Sequence, residues 1–208
     1  MVFKDRLEAG EILAEELEKY RGVEGVVLAI PRGGVVLGYV IAKALDLPLD
    51  VIITRKIGAP GNPEFAIGAV AQDGTKILNE NTMIDLGISQ EYIEENAAEQ
   101  IEVIARRMEY YRGSDVYDLK GKTAIVVDDG LATGHTAMAA VKYVRKLGPS
   151  KLVFAVPVGS PYAVEKLKLL VDECICPETP RNFQSVSQFY EQFKQVSDDE
   201  VVELLRKL

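Results

Sequence analysis

The chain has 208 residues, 48% hydrophobic and 27% charged. That is the balance of one globular domain, of a size that buries roughly 70% of its unfolded surface without disulfide or metal staples. Asp and Glu number 32 against 24 Lys and Arg, a net charge of −8. Such a surface has no field for gathering nucleic-acid phosphates, so nucleic acid is not an expected partner and an anionic ligand needs a local positive pocket. The apolar runs Val26 to Ile30 and Ala124 to Val127 are far short of the ~20 residues that span a bilayer, so no membrane role is expected. Met1 to Gly10 is charged and does not read as a signal peptide. Cys174 and Cys176, one residue apart, suit neither a disulfide framework nor a zinc knuckle, and a reducing, cytoplasmic setting is the expectation.

In chain order, a helix is predicted over about Asp5 to Tyr20, with Leu13, Leu17 and Tyr20 on one face and Gly22 as its stop. The apolar run Val26 to Ile30 reads as a strand, followed by Pro31-Arg32-Gly33-Gly34 and a helix to about Leu45. Val51 to Thr54 reads as a second strand leading into a loop rich in Gly and Pro from Gly58 to Asn62. A hairpin is expected from Ala66 to Leu78, turning at Asp73-Gly74. From Ser89 to Arg112, Ile93, Ala97, Ile101, Ile104, Met108 and Tyr111 recur every three or four residues, a long amphipathic helix closed by Gly113. Arg106, Arg107 and Arg112 in its last turns suit the helix dipole. Ala124 to Val127 is a strand, with a helix from Thr136 to about Leu147. Leu152 to Pro157, Tyr162 to Leu170 and Glu173 to Cys176 then read as strand, helix and strand. Ser197 to Glu200 is a capping box for a last helix. The alternation of strands and helices predicts an α/β fold: one doubly wound parallel sheet flanked by helices, residues 1–208 as a single domain, with about 178–208 as a C-terminal hood and helix.

The chemistry concentrates in Ala124-Ile125-Val126-Val127-Asp128-Asp129-Gly130-Leu131-Ala132-Thr133-Gly134-His135-Thr136. A strand apolar throughout is buried on both faces, and ligands of open α/β sheets bind beyond the carboxyl ends of such strands. The loop from Leu131 through Ala132, Thr133, Gly134 and His135 to Thr136 supplies consecutive N–H groups and a helix N-terminus, a concavity that suits a phosphate monoester. Asp128 and Asp129 would repel a bare phosphate. A ribose carrying that phosphate resolves the conflict, because its 2′ and 3′ hydroxyls donate to the carboxylates while the 5′-phosphate lies in the loop.

This run resembles the ribose-phosphate motif of type I phosphoribosyltransferases: an apolar strand, two acids, two small or apolar residues, a small residue, Thr-Gly, any residue and Thr, with His135 in the variable slot. Arg32, Gly33 and Gly34 are similar to that family's pyrophosphate loop, and Arg55-Lys56 with Gly58 to Glu64 to its flexible catalytic loop. The likeness spans about Val23 to Pro157, and the whole pattern, with Gln188-Phe189-Tyr190, resembles bacterial and archaeal members of unsettled substrate.

The resemblance implies displacement of magnesium pyrophosphate from carbon 1 of phosphoribosyl pyrophosphate by a nitrogen acceptor, a nucleobase by preference. Mg²⁺ would bind through ribose hydroxyls, diphosphate and water near Asp128 and Asp129, with no direct protein ligand. Lys56 would offset charge on the leaving group, with Arg55 beside it at the start of the catalytic loop. Some purine-salvage members carry an acid where Ala132 stands here, so Glu64 becomes the candidate base. Phe183, Phe189, Tyr190 and Phe193 in the hood either stack on a planar acceptor or pin the C-terminal segment to the sheet. Homodimers are common among such proteins. The competing expectation keeps the fold and drops the chemistry: a regulator that binds phosphoribosyl pyrophosphate as a signal. A Walker A loop is excluded because Val116 sits where its first glycine is required, and Gly33, Gly34 and Gly38 have the wrong spacing for a dinucleotide fingerprint. Adjacent rather than alternate acids exclude a haloacid-dehalogenase-type phosphatase.

Overall fold

A computed structural model describes all 208 residues. Asp5 caps the first helix, α1 (Arg6–Glu16), by accepting from the N–H groups of Leu7 and Glu8. The predicted helix is shorter than expected at its far end, where Glu18–Tyr20 forms a 3-10 turn instead. The central sheet contains β1 (Gly25–Ala29), β2 (Leu49–Val51), β6 (Thr123–Val127), β7 (Lys151–Ala155) and β8 (Glu173–Ile175), all parallel, in the order β2-β1-β6-β7-β8. Helix α2 (Gly33–Leu45) links β1 to β2, α5 (His135–Lys146) links β6 to β7, and α6 (Pro161–Lys168) links β7 to β8.

A second, antiparallel sheet stands between β2 and β6 in the chain. It consists of β3 (Thr54–Ala59), β4 (Asn62–Ala71) and β5 (Lys76–Leu78). The β4–β5 hairpin is the one the turn at Asp73-Gly74 predicts. The stretch expected as a Gly/Pro loop after Thr54 is instead the β3–β4 hairpin, irregular in register around Gly58. With half-exposed Arg55 and exposed Lys56 side by side and Gly58 before Pro60 and Gly61, the strand lacks the alternation that would mark it in the sequence. Two helices follow, α3 (Glu80–Asp85), which the sequence reading omits, and α4 (Gln90–Arg112), capped by Ser89 and closed by left-handed Gly113. At the C-terminus Ser197 and Glu200 make the expected capping box of α7 (Asp198–Leu205).

The core forms on both faces of the parallel sheet, as fully apolar strands require. Val26, Leu28, Ala124 and Val126 turn to one side, while Val27, Ile125 and Val127 turn to the other. β1 and β6 are neighbours in register, Ala29 opposite Val127, yet the chain leaves them in opposite directions, toward β2 and toward β7. Their carboxyl ends therefore flank the topological switch point, where an open α/β sheet leaves a crevice. The hood is tied to the amino terminus: Phe3 is fully buried, its N–H donates to the Phe189 carbonyl at 2.8 Å, and its carbonyl accepts from the Glu191 N–H at 2.8 Å.

Candidate functional site

The loops after β1 and β6 meet at that crevice. The Asp128 N–H donates to the Ala155 carbonyl at 3.3 Å, which orients the acid loop at the strand end. Asp128 Oδ1 accepts from the Asp129 N–H at 2.8 Å. Asp129 Oδ2 accepts from Arg6 Nε at 2.8 Å. Burial pushes the Asp128 carboxyl well above the ordinary carboxylate range, and the neighbouring Asp129 charge adds to the rise. Asp129 is also raised by burial, against the opposing pull of Arg6. The pair therefore resists full ionisation even with Arg6 on Asp129.

Leu131 is the one predicted phosphate-cradle position that the geometry removes. Its N–H donates to the Val158 carbonyl at 3.0 Å and its side chain is buried, because the chain pairs there with Gly159. From Ala132 to Thr136 no N–H has an acceptor within the chain, as the first turn of a helix leaves them. Gly134 caps α5 at φ +81°, and a Cβ there would also come within 3.1 Å of the Ala163 methyl. The cradle is stiffened from outside: Ser160 Oγ donates to the Ala132 carbonyl at 2.6 Å, and Thr54 Oγ1 to the Thr136 carbonyl at 3.1 Å. His135 Nδ1 is buried without a partner, and burial together with nearby Lys56 lowers the imidazole pKa, which disfavours a charged ring.

On the β1 side, the Pro31–Arg32 peptide is cis and Arg32 opens α2. Arg32 Nη1 lies 3.9 Å from Asp198 Oδ1 on α7, and the same carboxylate accepts from the Tyr111 hydroxyl. Arg55 Nε donates to Gln100 Oε1 of α4 at 3.1 Å. Burial lowers the Arg55 pKa, and the positive charges of Arg107 and Arg32 lower it further. Three guanidinium groups thus share one neighbourhood beside the loop, where an anion is attracted despite the chain's net negative charge. The structure brings Gly33 and Gly34, with Arg32 adjoining them, against the acid loop and Lys56 near His135, while Arg55 is tied to Gln100 on α4. It gives no such placement to Glu64, which is exposed on β4 and hydrogen-bonds to nothing at the site.

The sequence reading misses Arg6, Arg107 and the hydrogen bond of Tyr190 to the acid loop. Arg6 is a nearly buried arginine at the first turn of α1. Its partner lies 123 residues away, so no spacing rule reaches it. Tyr190 donates its hydroxyl to the Asp129 carbonyl at 2.6 Å. Arg107 reads from sequence as a complement to the helix dipole. The signal that could have found it is its position seven residues after Gln100, two turns along one face of α4. Of the four hood aromatics, Phe189 and Tyr190 are buried; Phe183 stacks on Phe189, and Phe193 on Tyr190. The ring contacts pin the hood.

Comparison with known proteins agrees with this geometry. The description of the phosphoribosyl transferase domain family matches residues 5–194. A Mycobacterium tuberculosis protein named as a phosphoribosyl transferase, Rv0571c, is 42% identical over 205 residues, covering 98% of this chain and 46% of its own length. The chain thus spans about half the length of the curated relatives it matches. The crystal structure of TT1426 from Thermus thermophilus is 42% identical, covers 100% of this chain and 99% of its own, and superposes with a TM-score of 0.81. A purine phosphoribosyltransferase from Pyrococcus horikoshii, at 20% identity and a TM-score of 0.50 over 91% of each chain, shares the fold. A switch-point crevice with an acid pair and a run of unpaired amides, in a chain matched over nearly its whole length, places this protein in the phosphoribosyl transferase domain family.

Proposed function

We propose that this chain transfers the 5-phosphoribosyl group from phosphoribosyl pyrophosphate to a nitrogen acceptor of the nucleobase class, releasing pyrophosphate. The observation that carries the reading is the junction of Asp128 with the unpaired N–H groups from Ala132 to Thr136. One end of that surface accepts hydrogen bonds from a diol, the other donates them to a phosphate ester, and a phosphoribosyl group presents both. Neither half alone distinguishes a sugar phosphate from other anions.

The chain's own contribution to the step is positioning and charge. The amides of Thr133 to Thr136 would fix the 5′-phosphate and the acid loop, through Asp128, the ribose. Arg32, Arg55 and Lys56 would face the diphosphate and offset the charge that develops as the bond to carbon 1 breaks. Gly33 and Gly34 let the loop after β1 close onto the acid loop, since a Cβ at either would meet Asp129 or Asp128. Magnesium fits the donor set only as an ion carried by the ligand. No group of three or more His, Cys, Asp or Glu side chains is assembled to hold a metal, and one oxygen of Asp129 is committed to Arg6. Asp128 would meet it through water and the ribose hydroxyls, and the ion would supply neutralisation of the diphosphate. The free Cys174 and Cys176, whose thiols burial pushes up to about 11 and about 12, suit a reducing, cytoplasmic setting. Assembly as a homodimer belongs to the same proposal.

The test is a screen of nucleobases with phosphoribosyl pyrophosphate and Mg²⁺, following pyrophosphate release. Turnover with one acceptor class supports the transferase. Tight donor binding without turnover on any acceptor replaces it with the donor-sensing regulator, and absence of donor binding refutes both.

A further inference from the structure

The two acids look equivalent in sequence and are not equivalent in space. Asp129 is enclosed: Arg6 Nε is 2.8 Å from its Oδ2, and the two side chains are only 10% and 16% exposed. The same guanidinium donates from Nη1 to the Lys194 carbonyl at 2.6 Å and lies against Phe193, with Cζ 3.9 Å from the ring centre. The Asp129 carbonyl accepts the Tyr190 hydroxyl. The ion pair also fills the space beside the other loop, since a Cβ on Gly33 would stand 1.8 Å from Asp129 Oδ2 and 2.8 Å from Arg6 Nε. Asp128, by contrast, receives only the Asp129 N–H on Oδ1.

We propose that the acids divide the work: Asp128 takes the ribose diol, while Asp129 is a positioning residue held by Arg6, which clamps the acid loop to α1 and to the hood. The argument is one of electrostatics and geometry. Adjacent carboxylates oppose each other's charge, and a guanidinium on one of them relieves the other. A charge-assisted bond from Arg6 also fixes the side-chain direction of Asp129, away from any role as a mobile acceptor. Without Arg6, the buried Asp129 charge would lose its partner, and the loop carrying Asp128 would lose its anchor. Arg6 thereby couples both ends of the chain to the donor site, which it does not itself need to touch. This inference rests on the donor-site reading above.

Calorimetric titration with ribose 5-phosphate tests it, using the full chain and the variants Asp128→Asn, Asp129→Asn, Arg6→Gln, Arg6→Lys and the double Arg6→Gln/Asp129→Asn. Affinity is expected to fall more than about 100-fold in Asp128→Asn but less than about tenfold in Asp129→Asn, whose amide oxygen still accepts from Arg6. Arg6→Gln should lose about 10- to 100-fold, Arg6→Lys should recover to within about tenfold of the parent, and the double variant should bind within about threefold of Asp129→Asn, because no unpaired carboxylate remains. Equal losses in Asp128→Asn and Asp129→Asn would overturn the division of work. Additive losses in the double variant, or a lower melting temperature in Arg6→Gln with unchanged affinity, would reduce Arg6 to a packing element. Should Arg6→Gln not fold, the comparison of the two Asn variants decides. No binding by the parent protein refutes the donor site itself, and this inference with it.

Discussion

Replacing Gly33 by Ala tests the packing of the two site loops with one methyl group. The new Cβ would stand 1.8 Å from Asp129 Oδ2, 2.6 Å from its Cγ and 2.8 Å from Arg6 Nε, separations that no non-bonded carbon tolerates. The nearest atom belongs to a side chain, so rotation of Asp129 could relieve the clash, but Arg6 holds that side chain and Phe193 backs Arg6. Relief therefore breaks the ion pair. Losing a hydrogen bond to a charged group costs about 1.5–3 kcal/mol, and leaving a buried charge without its partner about 3–5 kcal/mol. The pair here is nearly but not fully buried, so a loss of about 2–4 kcal/mol is expected. In a domain near 200 residues each kcal/mol moves the midpoint by about 2–4 °C, giving a fall of roughly 5–15 °C. Thermal unfolding followed by circular dichroism reads it directly. Gly33→Ala with a melting temperature within about 1 °C of the parent would show that the two loops are not locked through Asp129 and Arg6.

Four further outcomes follow from the same geometry. Burial and mutual repulsion raise the acid pair above the unfolded carboxylate value, so above its folded titration the pair opposes folding. That opposition is relieved as the pH falls through the raised value, so Asp128→Asn should be at least as stable as the parent at neutral pH by urea denaturation, with the difference shrinking on acidification; a variant less stable at neutral pH contradicts the assignment. Ribose 5-phosphate affinity should rise with pH more steeply in the parent than in Asp128→Asn, whose profile reports the ligand's phosphate alone, because the diol is accepted by the ionised acid; equal profiles by calorimetry argue against it. Arg107→Ala should weaken pyrophosphate binding by about 3- to 10-fold while ribose 5-phosphate affinity holds, and equal loss of both ligands would remove Arg107 from the diphosphate side. Phe3→Ala should cost about 3–5 kcal/mol of stability, since it empties a fully buried site that joins the amino terminus to the hood; a change under 1 kcal/mol would show that the hood is held elsewhere.

The parallel sheet was legible because its strands are buried on both faces and read as unbroken apolar runs, as in Val26 to Ile30 and Ala124 to Val127. Ser89, Ser197 and Gly113 marked helix ends because capping chemistry is local. β3 was hidden because Gly58, the Pro60-Gly61 turn and Pro63 in its hairpin partner imitate a loop, and its pairing with β4 is a tertiary fact. The acid loop and the phosphate amides were legible for a related reason, being contiguous in the chain. Leu131 was assigned to the cradle because nothing in the sequence shows its N–H engaged by Val158. Arg6 was invisible as a site residue, since its partner Asp129 and its cover at Phe193 and Lys194 lie more than a hundred residues away from it in the chain.

The most direct test of the central claim is a crystal structure of this chain soaked with ribose 5-phosphate. The account predicts phosphate oxygens about 2.7–3.2 Å from the N–H nitrogens of Thr133 to Thr136, with the ribose hydroxyls on Asp128. Sugar-phosphate density bound elsewhere, with the Asp128 carboxylate and those amides left facing solvent, would contradict it.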